Sequence, residues 1–179
     1  MLKKKSQTTQ DWLPDYFAKT TSGIDFEYLR NKGIKAMMFD LDHTILVHGS
    51  TDVETNISKA LDSSGMKVYI ATNRRESNGL NDIKKSISAQ GIMFARSVSI
   101  AKPRKEYYKL AIEMTGVKPE EVAMVGDRLV QDIWGANRAG ITTVMVSKFG
   151  HIRWYDQILT IPDRIMPKLF KGHYRTISD

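Results

Sequence analysis

Residues 34–46 read IKAMMFDLDHTIL, an apolar run broken only by Lys35 that stops at two aspartates two positions apart. A near-continuous apolar run of this length suits a strand buried on both faces. Aspartate disfavours strands, and a buried carboxylate is costly unless it is paired or bound to a metal. The stretch therefore predicts a strand with a reason, other than folding, to end in Asp40 and Asp42. Four further runs follow: MKVYIA (66–71), IMFA (92–95), EVAMVG (121–126) and ITTVMV (141–146). Between them lie helical segments near 55–64, 78–90, 104–115 and 128–139. Buried strands separated by single helices predict a doubly wound (Rossmann-like) α/β fold, a parallel sheet of about five strands with helices on both faces. Ligands of such sheets bind outside the carboxyl ends of the strands.

Outward from the core, DWLPDYFAK carries Trp12, Leu13, Tyr16 and Phe17 at near-helical spacing broken by Pro14. A short helix near 26–31 stops at Gly33, where a C-cap glycine belongs. The expected organisation is one domain: an N-terminal helical lead-in (1–33), an α/β core (34–150) and a basic amphipathic C-terminal tail (151–179). A chain of 179 residues, 41% hydrophobic and 26% charged, suits a single soluble globular domain. It has no cysteine, which excludes disulfides and thiolate metal sites and fits a reducing compartment. The opening MLKKKSQTTQ is not followed by an apolar stretch, and no window approaches the roughly 18 apolar residues of a membrane span, so a cytoplasmic protein is expected. The net charge of +7 favours polyanionic surroundings: nucleic acid, an anionic membrane face or phosphorylated substrates. For any single lysine a solubilising surface is the better explanation.

The chemistry-bearing residues fall at the predicted strand ends. Alternate residues of an extended chain point the same way, so Asp40 and Asp42 can face one site. Two close carboxylates repel unless a cation or a shared proton lies between them. Without cysteine or clustered histidine, an oxygen-preferring ion such as Mg²⁺ is the natural partner. Thr44 supplies a hydroxyl and helps fix the turn, although Asp-x-Asp-x-Thr also fits an ordinary loop with a helix cap. After the second strand, Thr72 and Asn73 offer donors for a phosphate oxygen, and they equally suit a helix N-cap. Lys102, before Pro103, can neutralise a phosphate as a point charge or be a solvated loop lysine. In VAMVGDRLVQDIWGANRAG, Gly126 lets the backbone turn, Asp127 starts a helix and Asp132 follows five residues later. A cap explains Asp127 but not a third acidic group at the same end of the sheet. Three carboxylates and a lysine around one spot make a Mg²⁺ and phosphate site.

This ordered set resembles the haloacid dehalogenase (HAD) superfamily: FDLDHT as the first motif, the Thr of YIATN as the second, Lys102 as the third and VGDRLVQD as the fourth. More narrowly, LPDYFAK, GIKAMMFDLDHTIL and GDRLVQDIWGANRAG are similar to the YqeG family of type IIIA phosphatases, itself similar to enzymes that dephosphorylate phosphatidylglycerophosphate. Two departures stand out: His43 where relatives usually carry asparagine, and ATNRR where they tend to show Ser-Asn-Asn, which bears on substrate contacts near Arg74 and Arg75. The resemblance implies Asp40 as the nucleophile that forms an aspartyl-phosphate and Asp42 as the acid/base. It also implies Mg²⁺ held by Asp40, the backbone carbonyl of Asp42 and Asp127, with Thr44 and Asp132 behind them. Thr72 and Lys102, with Asn73 beside them, would hold the phosphate oxygens.

Only 27 residues separate Thr44 from Thr72 and 29 separate Thr72 from Lys102, which a loop, a helix and a strand consume each time. No inserted cap domain is expected, so the open site suits a phosphate presented on something large, such as a lipid headgroup. Trp12, Tyr16 and Phe17 near Lys3–Lys5, and Ile165, Met166, Leu169 and Phe170 among Arg164, Lys168 and Lys171, mix apolar anchors with cations. Such segments either lie peripherally on the inner face of an anionic membrane or pack on the core. The expected function is a Mg²⁺-dependent phosphatase for phosphatidylglycerophosphate. The competing readings are a soluble phosphatase for a small ester and a basic nucleic-acid or ribosome-binding protein on the same fold. The intact acidic and lysine set argues against nucleic acid.

Overall fold

The computed structural model of the protein describes residues 9–150, 165 and 175–177. At its centre is strand β2 (Ala36–Phe39), all four residues of which are buried. Met37 and Phe39 enter one apolar cluster, while Ala36 and Met38 enter another on the opposite face of the sheet. The neighbours repeat this period of two. In β3 (Lys67–Ala71), Val68 and Ile70 join the first cluster, and Tyr69 and Ala71 the second. In β5 (Val122–Gly126), Ala123 and Val125 face one way, and Val122 and Met124 the other. A strand covered on both faces gains nothing from polar alternation, which is why these runs read as continuously apolar.

The helices supply the covers. Leu29 of α1 (Phe26–Asn31), Ile57 and Leu61 of α2 (Thr55–Ser63) and Leu80 and Ile83 of α3 (Asn78–Ser86) close the first cluster. Tyr107, Tyr108 and Ala111 of α4 (Lys105–Thr115) and Ala136 of α5 (Gly135–Arg138) close the second. With β1 (Tyr16–Ala18), β4 (Gly91–Met93), β6 (Thr142–Val146) and β7 (Arg175–Thr176), the sheet has seven strands in the order β4-β3-β2-β5-β6-β1-β7, and every pairing is parallel. From β2 the chain steps outward through β3 to β4. Helix α4 then carries it back across the sheet to β5 on the other side of β2. The carboxyl ends of β2 and β5 thus flank the point where strand order reverses, the usual place for a ligand crevice.

The sheet differs from the expected five strands at its far edge. Tyr16 and Phe17, read at helical spacing in a helical lead-in, lie in β1 instead. The Thr143 N–H donates to Asp15 Oδ2 at 2.9 Å and locks this strand beside β6. The end of the 151–179 tail is likewise part of the fold: Arg175 and Thr176 form β7, Ile177 is buried, and its carbonyl accepts from the Asp25 N–H at 3.0 Å. Both strands are too short for a sequence period to register. The 128–139 segment opens with a π-helical turn (Leu129–Trp134) before α5 rather than as one regular helix.

The proposed membrane anchors at the N-terminal side pack on the domain. Phe17 lies against Leu129, Ile133 and Met145, Trp12 stacks on Trp134 at 5.2 Å, and Tyr16 meets Tyr28 edge to face at 5.7 Å. Ile165 is exposed. Lys3–Lys5, Arg164, Met166, Lys168, Leu169, Phe170 and Lys171 fall outside the described residues. Among those described, no helix is long and apolar enough to cross a membrane.

Candidate active site

The backbone at the strand ends decides which side chains meet. The Asp40 N–H continues the β2–β5 ladder to the Val125 carbonyl (2.9 Å), and the Thr72 N–H continues β3–β4 to the Met93 carbonyl (2.9 Å). Asp40, one residue past β2, and Asp127, one residue past β5, therefore emerge side by side. Asp132 comes from the π-helical turn and reaches back to the same spot, where its Oδ2 accepts from the Arg128 N–H at 3.0 Å. Gly126 is what admits it: a Cβ there would lie 2.3 Å from the carboxyl carbon of Asp132. Asp40, Asp127 and Asp132 are all buried, and each can bring a carboxylate oxygen within 4.8 Å of the others.

Lys102 lies between two of them. Its Nζ donates to Asp40 Oδ1 at 2.7 Å and to Asp132 Oδ1 at 2.6 Å, and only 4% of the residue is exposed. Lys102 is delivered by Asn73, whose Oδ1 accepts from the Lys102 N–H (2.8 Å) and whose Nδ2 donates to the Lys102 carbonyl (3.1 Å). Asn73, expected to meet phosphate, thus has its side-chain amide engaged in holding the lysine loop. Thr72 is buried at the pocket wall, where its Oγ1 accepts from the Arg74 N–H at 3.1 Å. Thr44 donates to Asp127 Oδ1 at 3.3 Å, and Lys148 Nζ donates to the other oxygen of Asp127.

Asp42 takes a different position from the one expected of an extended strand. After Asp40 the chain turns: Leu41 is buried in the core, and the N–H groups of Thr44, Ile45 and Leu46 all point to its carbonyl. His43 stands in the left-handed region (φ 62°), where asparagine and histidine are the more tolerated side chains. The Asp42 carboxylate therefore lies at the mouth of the site, outside the buried trio. It accepts from Arg74 Nε (3.0 Å) and Nη2 (2.7 Å) and from the Gly49 N–H (3.1 Å). Asp40 and Asp42 still line one pocket of about 220 Å³, with Thr72, Asn73, Arg74 and Arg128 on its walls.

Electrostatics separates the two aspartates. Burial pushes Asp40 up to about 6, although Lys102 pulls the other way. Burial also raises Asp127 and Asp132 against the pull of Lys148 and Lys102 respectively. Burial would strip the proton from Lys102, but Asp132 and Asp40 outweigh it and keep the ammonium charged. Asp42, though partly desolvated, is held below the usual carboxylate range by Arg74 and the Gly49 N–H. Two carboxyls whose surroundings push them in opposite directions can be given different tasks in one reaction.

Several members of the site escape sequence reasoning. Lys148 stands two residues past β6, and the strand-end rule that found the aspartates extends to it. Tyr107 and Tyr108 look like ordinary core aromatics of α4, yet their hydroxyls tie down the site's frame: Tyr107 donates to the Met93 carbonyl at the end of β4 (2.7 Å) and Tyr108 to the Gln131 carbonyl in the π-helical turn (2.6 Å). The Arg74–Asp42 fork has no local signal, because 32 residues separate its partners.

Residues 99–151 match the HAD-hydrolase-like family model. The chain is 28% identical over 138 residues to the probable phosphatase YqeG of Bacillus subtilis, a match covering 75% of this chain and 77% of that protein. It is 42% identical over 57 residues to the glyceraldehyde 3-phosphate phosphatase of Methanopyrus kandleri, where the match spans 32% of this chain and only 24% of that enzyme. Among solved structures, an uncharacterized protein from Listeria monocytogenes superimposes with a TM-score of 0.54 at 17% identity, over 78% of this chain and 99% of that one. A HAD-superfamily hydrolase from Geobacter sulfurreducens gives 0.52 at 18% identity, over 72% and 99%. These structures share the fold alone. A parallel sheet with its acidic and lysine residues gathered at the switch point, together with the matched phosphatase sequences, makes this chain a phosphatase hydrolase on the HAD-like fold.

Proposed function

We propose that the protein is a Mg²⁺-dependent phosphomonoester hydrolase that works through an aspartyl-phosphate on Asp40, with phosphatidylglycerophosphate as its substrate. The convergence of Asp40, Asp127 and Asp132 on one buried point, with Lys102 beside them, carries the reading. A set of three carboxylates with no nitrogen or sulfur donor suits a hard divalent cation. Asp40, Asp127 and Asp132 would hold Mg²⁺ together with the main-chain carbonyl of Asp42, and the bound ion offsets repulsion between the carboxylate and an incoming phosphate.

The chain's own groups divide the rest of the work. An Asp40 oxygen attacks phosphorus and forms the acyl-phosphate bond as the ester P–O bond breaks. The departing electron pair stays on the leaving oxygen, which takes a proton from Asp42 once that carboxyl has left Arg74 and gained one. Asp42 then removes a proton from the water that attacks the acyl phosphate, releasing inorganic phosphate and restoring Asp40. Thr72 and Lys102 steady the non-bridging oxygens, where negative charge collects in the transition state.

The lipid substrate rests on the openness of the site. Only a loop, α2 and β3 occupy the chain between Thr44 and Thr72, and α3, β4 and a tight turn fill the span to Lys102. Nothing inserted there roofs the pocket. The similarity to glyceraldehyde 3-phosphate phosphatases favours a second reading, a small soluble phosphate ester. Phosphate release with Mg²⁺ from phosphatidylglycerophosphate in mixed micelles, beside a panel of soluble esters, separates the two. Equal or faster turnover of a soluble ester would remove the lipid substrate and leave the mechanism standing. Asp40→Asn should abolish turnover with an unchanged circular dichroism spectrum, and a wild-type rate in that variant would end the covalent mechanism.

A further inference from the structure

Arg74 stands at the pocket mouth and has no part in the reaction just described. Its guanidinium makes a two-pronged contact with Asp42, through Nε to Oδ2 (3.0 Å) and Nη2 to Oδ1 (2.7 Å), and Nη1 donates to the Ser50 carbonyl (3.1 Å). Its main chain is fixed too: the N–H donates to Thr72 Oγ1 (3.1 Å) and the carbonyl accepts from the Ala95 N–H (3.1 Å). The fork is thus aimed into the pocket from a rigid base that joins three strand-end loops, and 22% of its side chain is open to an incoming ligand.

Asp42 is held by both oxygens in this arrangement. Besides Arg74 it accepts from the Gly49 N–H (3.1 Å), and His48 Nδ1 lies 3.1 Å from its Oδ1. The fork pins the carboxylate by both oxygens, so an anion that took the fork instead would leave Asp42 free to turn to the leaving group. A planar guanidinium takes carboxylate or phosphate oxygens in that same two-pronged geometry. The pocket wall shared by Asp40, Thr72 and Arg74 puts such an anion next to the phosphoryl group under attack.

We propose that Arg74 is a specificity-determining residue that binds a second anionic group carried beside the phosphate ester, in exchange for Asp42, which then faces the leaving oxygen. This rests on the phosphatase reading of Asp40 and Asp42. It defines the substrate class as phosphomonoesters with a neighbouring carboxylate, phosphate or phosphodiester.

The test is a ratio. The kcat/KM values for 3-phosphoglycerate, a sugar bisphosphate and micellar phosphatidylglycerophosphate are each compared with that for glycerol 1-phosphate. One charge-assisted two-pronged contact is worth about 10- to 100-fold, and the wild-type protein should prefer at least one bis-anionic ester by that factor. The favoured arm identifies the second anion. Arg74→Gln should bring the ratio to near one and Arg74→Lys to a value between, while Arg75→Gln, the exposed neighbour, leaves it unchanged. A second measurement needs no variant: phosphonoacetate should bind the wild-type protein in calorimetry about tenfold tighter than methylphosphonate. Ratios near one for every ester, a preference that survives Arg74→Gln, or equal binding of the two phosphonates would overturn the inference. Failure to hydrolyse any ester would instead overturn the phosphatase reading, while the phosphonate comparison still reports on Arg74.

Discussion

Gly126→Ala is a small change with a large predicted effect. Gly126 closes β5 without a positive φ, so alanine meets no backbone objection there. The objection is space: the new Cβ would lie 2.3 Å from Cγ, 2.4 Å from Oδ2 and 2.5 Å from Cβ of Asp132. Asp132 cannot swing aside cheaply, being fully buried with Oδ1 bonded to Lys102 and Oδ2 to the Arg128 N–H. Overpacking of this kind costs about 1–3 kcal/mol. Losing one hydrogen bond to a charged group adds about 1.5–3 kcal/mol. A loss of about 3–5 kcal/mol is expected, which at about 2–4 °C per kcal/mol lowers Tm by about 6–20 °C. The assay is urea unfolding in a double-mutant cycle with Asp132→Gly, which removes the three atoms nearest the new methyl. In that background Gly126→Ala should cost under about 1 kcal/mol, a coupling of at least about 2 kcal/mol. Additive costs, within about 0.5 kcal/mol, would refute the view that Gly126 exists to seat Asp132.

Other predictions concern the cation, the turn and the chain's end. Asp40 has its pKa raised to about 6, so below that pH a proton occupies an oxygen that Mg²⁺ would use. Apparent Mg²⁺ affinity should therefore fall as pH drops through about 6, by up to about tenfold per unit, as isothermal calorimetry at pH 5 and 7.5 would report. An affinity flat across that range would mean Asp40 is not displaced from its proton by the ion. His43, at φ 62° with its Nδ1 3.0 Å from the Phe149 carbonyl, should tolerate asparagine. His43→Val should cost about 1–2 kcal/mol in denaturant unfolding, because a β-branched side chain is strained in the left-handed region. Ile177→Ala should cost about 2–4 kcal/mol, since the residue is buried in the main cluster, and a neutral result would mean β7 is not part of the cooperative unit.

The five strands β2 to β6 and the helices between them were legible in the sequence because their signals are local. A strand covered on both faces, such as Ala36–Phe39 or Val122–Gly126, must be apolar at every position, and its neighbours cannot disguise that. The acidic residues announced themselves for a related reason: a carboxylate at the end of a buried run costs too much to be there without a task. So Asp40, Asp127, Asp132 and Lys102 were found as candidates from position and chemistry alone. What tertiary structure decided is who meets whom. Lys102 reaches Asp40 across 62 residues and Asp132 across 30, Lys148 reaches Asp127 across 21, and Arg74 takes Asp42 away from the trio across 32. Such pairings depend on strand order, and strand order depends on the return of α4 across the sheet, which no local period encodes. The same is true of β1 and β7, where three and two residues become strands only because β6 leaves an open parallel edge for β1, and β1 in turn one for β7.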